Sequence, residues 1–270
     1  MATESWVALG GSVLLALAVI VQALSLWRPG DTEARGAWLA LIARGAAAVA
    51  LLAALVLAAN ADGRWLPDAP RQVALGLALA ILLVSLLLKL ALERRRAIDT
   101  GLTLASLFVD LFALALSLLV IWGMSPGGPV PECAQRSVPF LVQWILLLVG
   151  SGAAMVAASG ALALALAALL ARLGWDRPRP RRLELHSVLK DGTALALVAL
   201  GGGLAVSIWW AWQTVGQVAG SDPRIGWLAV AWLLAAMSRQ IWRLGWVPAR
   251  WAAGLSLAAA LVAGASWLVL

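Results

Sequence analysis

Two sets of residues in this chain could do chemistry. The first is a pair of charges set in apolar runs: Arg44 in GAWLALIARGAAAV and Asp110 in LTLASLFVDLFALAL. A charge at the centre of a bilayer costs ~2.5–3.5 kcal/mol on insertion scales, so an intramembrane carboxylate marks a functional or paired site. Measured from the inner ends of their runs, the two residues are offset by roughly 6 Å along the membrane normal. An arginine side chain bridges that distance. Three readings follow: a structural Arg44–Asp110 ion pair, a snorkelling Arg44 with a protonated, hydrogen-bonded Asp110, or a proton or substrate relay.

The second set is aromatic. The chain has 16 Trp and no Tyr. Trp6, Trp27, Trp65, Trp122, Trp175 and Trp246 fall near the ends of apolar runs, where an indole straddles the apolar and polar layers of a membrane. Trp209, Trp210 and Trp212 form a tighter cluster, and Trp227 and Trp232 follow across a short loop. Five indoles near one hairpin could build a flat wall for a planar ligand. Interface anchoring and helix packing account for them equally.

Other chemistry is excluded by composition. The chain has one His, His186, and one Cys, Cys133. There is no HExxH motif, Ser-His-Asp set or paired carboxylate motif. A zinc or iron site built by this chain alone is therefore not expected. No intramolecular disulfide can form, which leaves Cys133 the options of lipid modification or intermolecular pairing. Gly201-Gly202-Gly203 is not a phosphate loop, because no Lys-Ser/Thr follows it.

These residues sit in a strongly apolar chain of 270 residues, 63% hydrophobic and 12% charged, with mean hydropathy +0.94. A soluble fold would leave too much of that surface in water. The hydrophobic pattern predicts an all-α, polytopic integral membrane protein with eight transmembrane helices, in a single domain 1–270. The helices fall at about 6–27, 37–59, 71–92, 99–123, 139–172, 190–216, 224–243 and 249–269. Met1–Ser5 lacks a basic n-region, so the first run does not read as a secretory signal. The fifth run would reach about 50 Å as a helix, so it must project, tilt or bend, and Gly150-Ser151-Gly152 is the expected bend. Small residues at four-residue spacing, such as Ala153 and Ala157, predict close helix contacts.

Lys and Arg concentrate at alternate gaps. Those after helices 1, 3, 5 and 7 carry Arg28 and Arg35, the Lys89–Arg96 cluster, the Arg172–Lys190 cluster, and Arg239, Arg243 and Arg250. The intervening gaps carry Arg64, Arg71, Arg136 and Arg224. The positive-inside rule then places the basic loops in the cytoplasm and both termini outside. The expected location is a bacterial-type inner (plasma) membrane, multi-pass. The basic balance, with pI near 11.3, matches anionic lipid as the partner and not nucleic acid.

At the aromatic hairpin the sequence resembles a known family. Trp210-Ala211, Gly216, Asp222-Pro223, Trp227 and Trp232-Leu233 reproduce the skeleton of the WWD domain of the cytochrome c assembly family, which includes CcsA, CcmC and HemX-type proteins. Leu183-Glu184 is similar to the start of the family's acidic lead-in, with His186 replacing its second Leu. Gly203 fits the family's glycine before the Trp, and Gly245-Trp246 with Ala252 resemble its turn into the last helix. The detailed likeness covers 183–270. It implies an outward-facing WWD-like site of Trp209, Trp210, Trp212, Gly216, Asp222, Pro223, Trp227 and Trp232, and a role in haem and cytochrome c biogenesis.

The chain departs from the family where haem would be handled. Val215, Ala219 and Ser221 stand where the family has Trp. Gln240 aligns with its histidine after the WWD loop, and Gln143-Trp144-Ile145 stands near the place of another. His186 lies on the expected cytoplasmic side, away from the site. A neutral imidazole is the ordinary haem-iron ligand, and Met124 and Met155 are the remaining candidate donors. The resemblance thus implies a CcsA/HemX-like membrane protein that binds no haem by itself unless through atypical ligands. Such a protein is non-catalytic and acts in assembly or scaffolding with other integral membrane proteins of a cytochrome or redox system. The alternative is an accessory structural subunit of a respiratory or photosynthetic electron-transfer complex. A solute transporter using Asp110 is a third reading, without the internal inverted repeat such folds often show.

Overall fold

The computed structural model describes residues 3–27, 31–61, 70–93, 100–121, 138–173, 182–215, 223–244 and 248–268. They form eight helices in chain order and, among the described residues, no strand. The helices are α1 (Thr3–Trp27), α2 (Asp31–Ala61), α3 (Pro70–Glu93), α4 (Thr100–Ile121), α5 (Val138–Arg172), α6 (Arg182–Val215), α7 (Pro223–Leu244) and α8 (Ala249–Leu268). Seven are long and apolar enough to cross a membrane, and α4 carries a shorter apolar stretch, Leu104–Leu118. The protein is a helical, multi-pass membrane protein. With no water in a bilayer core, a backbone that satisfies its own hydrogen bonds within one segment is the stable solution.

Two helices begin earlier than their apolar runs suggest. α2 starts at Asp31 and not near 37, and α6 starts at Arg182 and not near 190. Hydropathy marks where a helix enters the apolar slab, not where its hydrogen-bonded turns begin.

α5 is the central pillar, packed against α3, α4, α6 and α8. Every residue from Gly150 to Ala161 is buried, and this GSGAAMVAASGA stretch is almost wholly small. A Cβ on Gly150 would lie 2.7 Å from the Leu200 backbone nitrogen of α6, and one on Gly152 would lie 3.0 Å from the Ala80 backbone of α3. The helix is continuous through this stretch. The glycines expected to mark a bend instead let two neighbouring backbones come close on opposite sides.

α1, α2 and α4 form a second packed group, with both α2 and α4 resting on α1. α6, α7 and α8 form the third. There, three hydroxyls link the helices: Ser256 lies 3.1 Å from Thr193 and 2.8 Å from Ser238, and Ser238 donates to the Ala252 carbonyl at 2.8 Å.

Candidate functional site

Two places in the bundle hold the singled-out residues. The first is in the α1/α2/α4 group. Arg44 is 1% and Asp110 0% exposed, so each charge needs a partner within the protein. Arg44 Nε donates to Asp110 Oδ1 at 2.7 Å and Nη2 donates to Oδ2 at 2.9 Å. This two-pronged contact is the strong form of the arginine–carboxylate bond. Nη2 also reaches the Ser106 carbonyl at 3.4 Å.

A third residue completes the knot. Gln22 of α1 is buried and donates its Nε2 to Asp110 Oδ2 at 2.9 Å. Its Oε1 is buried with no hydrogen-bond partner. Sequence reasoning missed Gln22; its signal is the lone amide in the apolar run LALAVIVQALSL. Beside Arg44 lies a cavity of about 30 Å³ bordered by Lys89, Ser106 and Ser159, a volume on the scale of a single water. The arrangement satisfies a buried carboxylate of α4 with donors from α1 and α2, which makes it a fastening between three helices.

The second place is the end of the α6/α7 hairpin. Its five indoles divide into two groups. Trp210 turns inward, its ring centroid 5.8 Å from that of Phe140 at the start of α5. Phe140 in turn stands 5.9 Å from Trp144, and Trp144 stands 4.9 Å from Trp267 of α8. Trp267 donates to Ser151 Oγ at 2.8 Å, which anchors this aromatic chain to the pillar. Trp232 also belongs to the packing: its Nε1 donates to the Leu197 carbonyl of α6 at 3.0 Å. Gly201 makes room for that indole, because a Cβ there would lie 2.8 Å from Trp232 Nε1.

The other three indoles stay open. Trp209, Trp212 and Trp227 are 54%, 57% and 50% exposed. Pro223 is the exposed first residue of α7, where its missing N–H costs nothing. Gly216, Asp222, Ala219, Ser221, Cys133 and Gly245-Trp246 lie outside the described residues. His186 is in the first turns of α6, its ring 5.1 Å from that of Trp242. It is 23 residues from Trp209 along one helix, or roughly 35 Å. Among the described residues no group of three or more His, Cys, Asp or Glu could hold a metal ion.

No family model matches this chain, and no curated protein matches it. Among solved structures, it is similar to one described as "Cytochrome c Heme Lyase CcmF", with TM-score 0.61 and 20% sequence identity. The two share a fold. The alignment covers 98% of this chain and 47% of the other, so the chain spans about half the length of the solved protein it matches. That neighbour is described as a cytochrome c heme lyase, and the likeness to it is one of fold.

Proposed function

We propose that this chain is a CcsA/HemX-like integral membrane protein of haem and cytochrome c biogenesis. It acts in assembly or scaffolding by contact with other integral membrane proteins, and without a haem of its own. The observation that carries this reading is the fold likeness to a cytochrome c heme lyase across 98% of the chain. The WWD-like residues at the α6/α7 hairpin support it independently, since they come from sequence pattern and not from shape.

Among the described residues, no histidine stands at that hairpin to hold an iron porphyrin. Trp210 packs against Phe140 and Trp232 donates to the Leu197 carbonyl, so both take part in helix packing. The one histidine sits at the far end of α6. The exposed Trp209, Trp212 and Trp227 suit a partner surface, because aromatic anchors dominate contact energies in protein interfaces. In this reading α4 counts as an eighth span, both termini are external, and the basic loops face the cytoplasm of a bacterial-type inner membrane.

The test is deletion of the gene in its host, followed by haem staining of c-type cytochromes and an absorbance spectrum of the purified protein. The proposal expects reduced holocytochrome c and no Soret band stoichiometric with this chain. Normal holocytochrome c, with the chain co-purifying in a quinol- or cytochrome-oxidising complex, replaces it with the accessory-subunit reading. A stoichiometric Soret band overturns the haem-free assignment.

A further inference from the structure

A groove of about 560 Å³ opens between the last turns of α5, the first turns of α6 and the first turns of α8. Its lining is sharply divided. Apart from His186 and Arg250, every residue along it is Ala, Leu or Gly, as in Ala161, Ala165 and Leu257. The two polar residues both sit in the opening turns of their helices, so they lie at the same end of the groove. The apolar floor runs from there along α5 and α8 towards the membrane interior.

We propose that this groove binds one anionic phospholipid, with its phosphate at Arg250 and His186 and an acyl chain along the alanine–leucine floor. Three observations converge on an amphiphile with an anionic head. The floor is apolar and continuous, so water gains nothing by filling it and a hydrocarbon chain does. Arg250 is exposed at the groove's mouth, and a guanidinium pairs with phosphate in a two-pronged geometry. The N-terminal turn of α8, which carries Arg250, places the positive end of a helix dipole at the same point. Basic pockets between transmembrane helices recognise anionic lipid head groups on these grounds. Arg172 and Arg243 lie in the last turns of α5 and α7.

The full chain, purified in dodecyl maltoside and stripped of co-purifying lipid, is titrated with dioleoylphosphatidylglycerol or dioleoylphosphatidylcholine. Bound lipid is counted by native mass spectrometry, and the thermal midpoint is recorded in parallel. The wild type is expected to prefer phosphatidylglycerol by about fivefold, the worth of one cation against an anionic head group. Arg250→Gln removes that preference while leaving the weaker phosphatidylcholine binding. Ala168→Trp, which fills the groove, removes both; if that variant does not fold, Arg250→Gln alone decides. Arg224→Gln, at the opposite end of the bundle, leaves the preference intact. Equal binding of the two lipids, or an unchanged preference in Arg250→Gln, overturns the proposal. So does inorganic phosphate alone if it raises the midpoint as much as phosphatidylglycerol, since the site would then be one for free anions.

Discussion

Arg44 holds both carboxylate oxygens of Asp110 at 2.7 and 2.9 Å, joining α2 to α4 through the surface that both lay against α1. Taking away one member of a buried pair leaves the other charged and alone, which costs ~3–5 kcal/mol. Asp110→Asn is therefore expected to lower the thermal midpoint in detergent and the membrane yield. The double variant Asp110→Asn with Arg44→Gln recovers most of the loss, because no unpaired charge remains. Thermal unfolding of the four proteins of this cycle measures the coupling. Normal stability in Asp110→Asn together with lost biological activity would assign the carboxylate to a relay instead.

Gln22 poses a finer question. Its Nε2 stabilises Asp110, yet its Oε1 is buried without a partner. A hydrogen bond to a charged group is worth ~1.5–3 kcal/mol, and an unsatisfied buried acceptor costs ~1–3 kcal/mol. The two nearly cancel, so Gln22→Leu should change stability by under ~1 kcal/mol. Gln22→Glu should be far worse, since two carboxylates would then share one guanidinium. Circular dichroism melts in detergent distinguish these outcomes, and a Leu variant as damaged as the Glu variant refutes the balance.

The sequence revealed the two charges and the apolar runs because both are local signals. Asp110 and Arg44 stand out against their own neighbours, and an axial offset short enough for an arginine to bridge is readable from helical rise alone. Gln22 did not stand out, because one amide in an apolar helix is common and its partner lies 88 positions away. The early starts of α2 and α6 were hidden for a related reason: their first turns are polar, and hydropathy is silent on polar helix. At the hairpin, spacing gave the five indoles but not their directions. Trp210 and Trp232 turn inward because Phe140 and the Leu197 carbonyl receive them, and those partners are on other helices. The hydroxyl chain of Thr193, Ser256 and Ser238 was invisible for the same reason.

Packing at α5 can be probed by adding volume. Gly152→Val forces a branched side chain against the Ala80 backbone, where a Cβ alone would already sit at 3.0 Å. Overpacking of this kind costs ~1–3 kcal/mol or more where backbone must move. Gly10→Ala is the control: nothing lies within 4 Å of a Cβ there, and alanine gains up to ~1 kcal/mol over glycine in a helix. Thermal midpoints should therefore move in opposite directions.

The split among the indoles predicts a split among alanine variants. Trp210→Ala removes a ring packed on Phe140 and should cost ~3–5 kcal/mol. Trp209→Ala and Trp212→Ala remove side chains more than half exposed and should leave stability within ~1 kcal/mol. If the open rim is a partner surface, the pair Trp209→Ala and Trp212→Ala lowers holocytochrome c at unchanged protein level. Unchanged cytochrome in that pair removes these two indoles from the interface.

The pillar has a mechanical consequence. With glycines touching α3 on one side and α6 on the other, its 150–161 stretch has, apart from Met155, no long side chain to bend or re-seat when a neighbour is pushed. Displacement on one flank must pass to the opposite flank as a movement of whole helices, since a close-packed interior deforms little. A partner pressing on the tryptophan-bearing helix would thus be felt across the pillar by α3, and by α4, which packs against both α3 and α5.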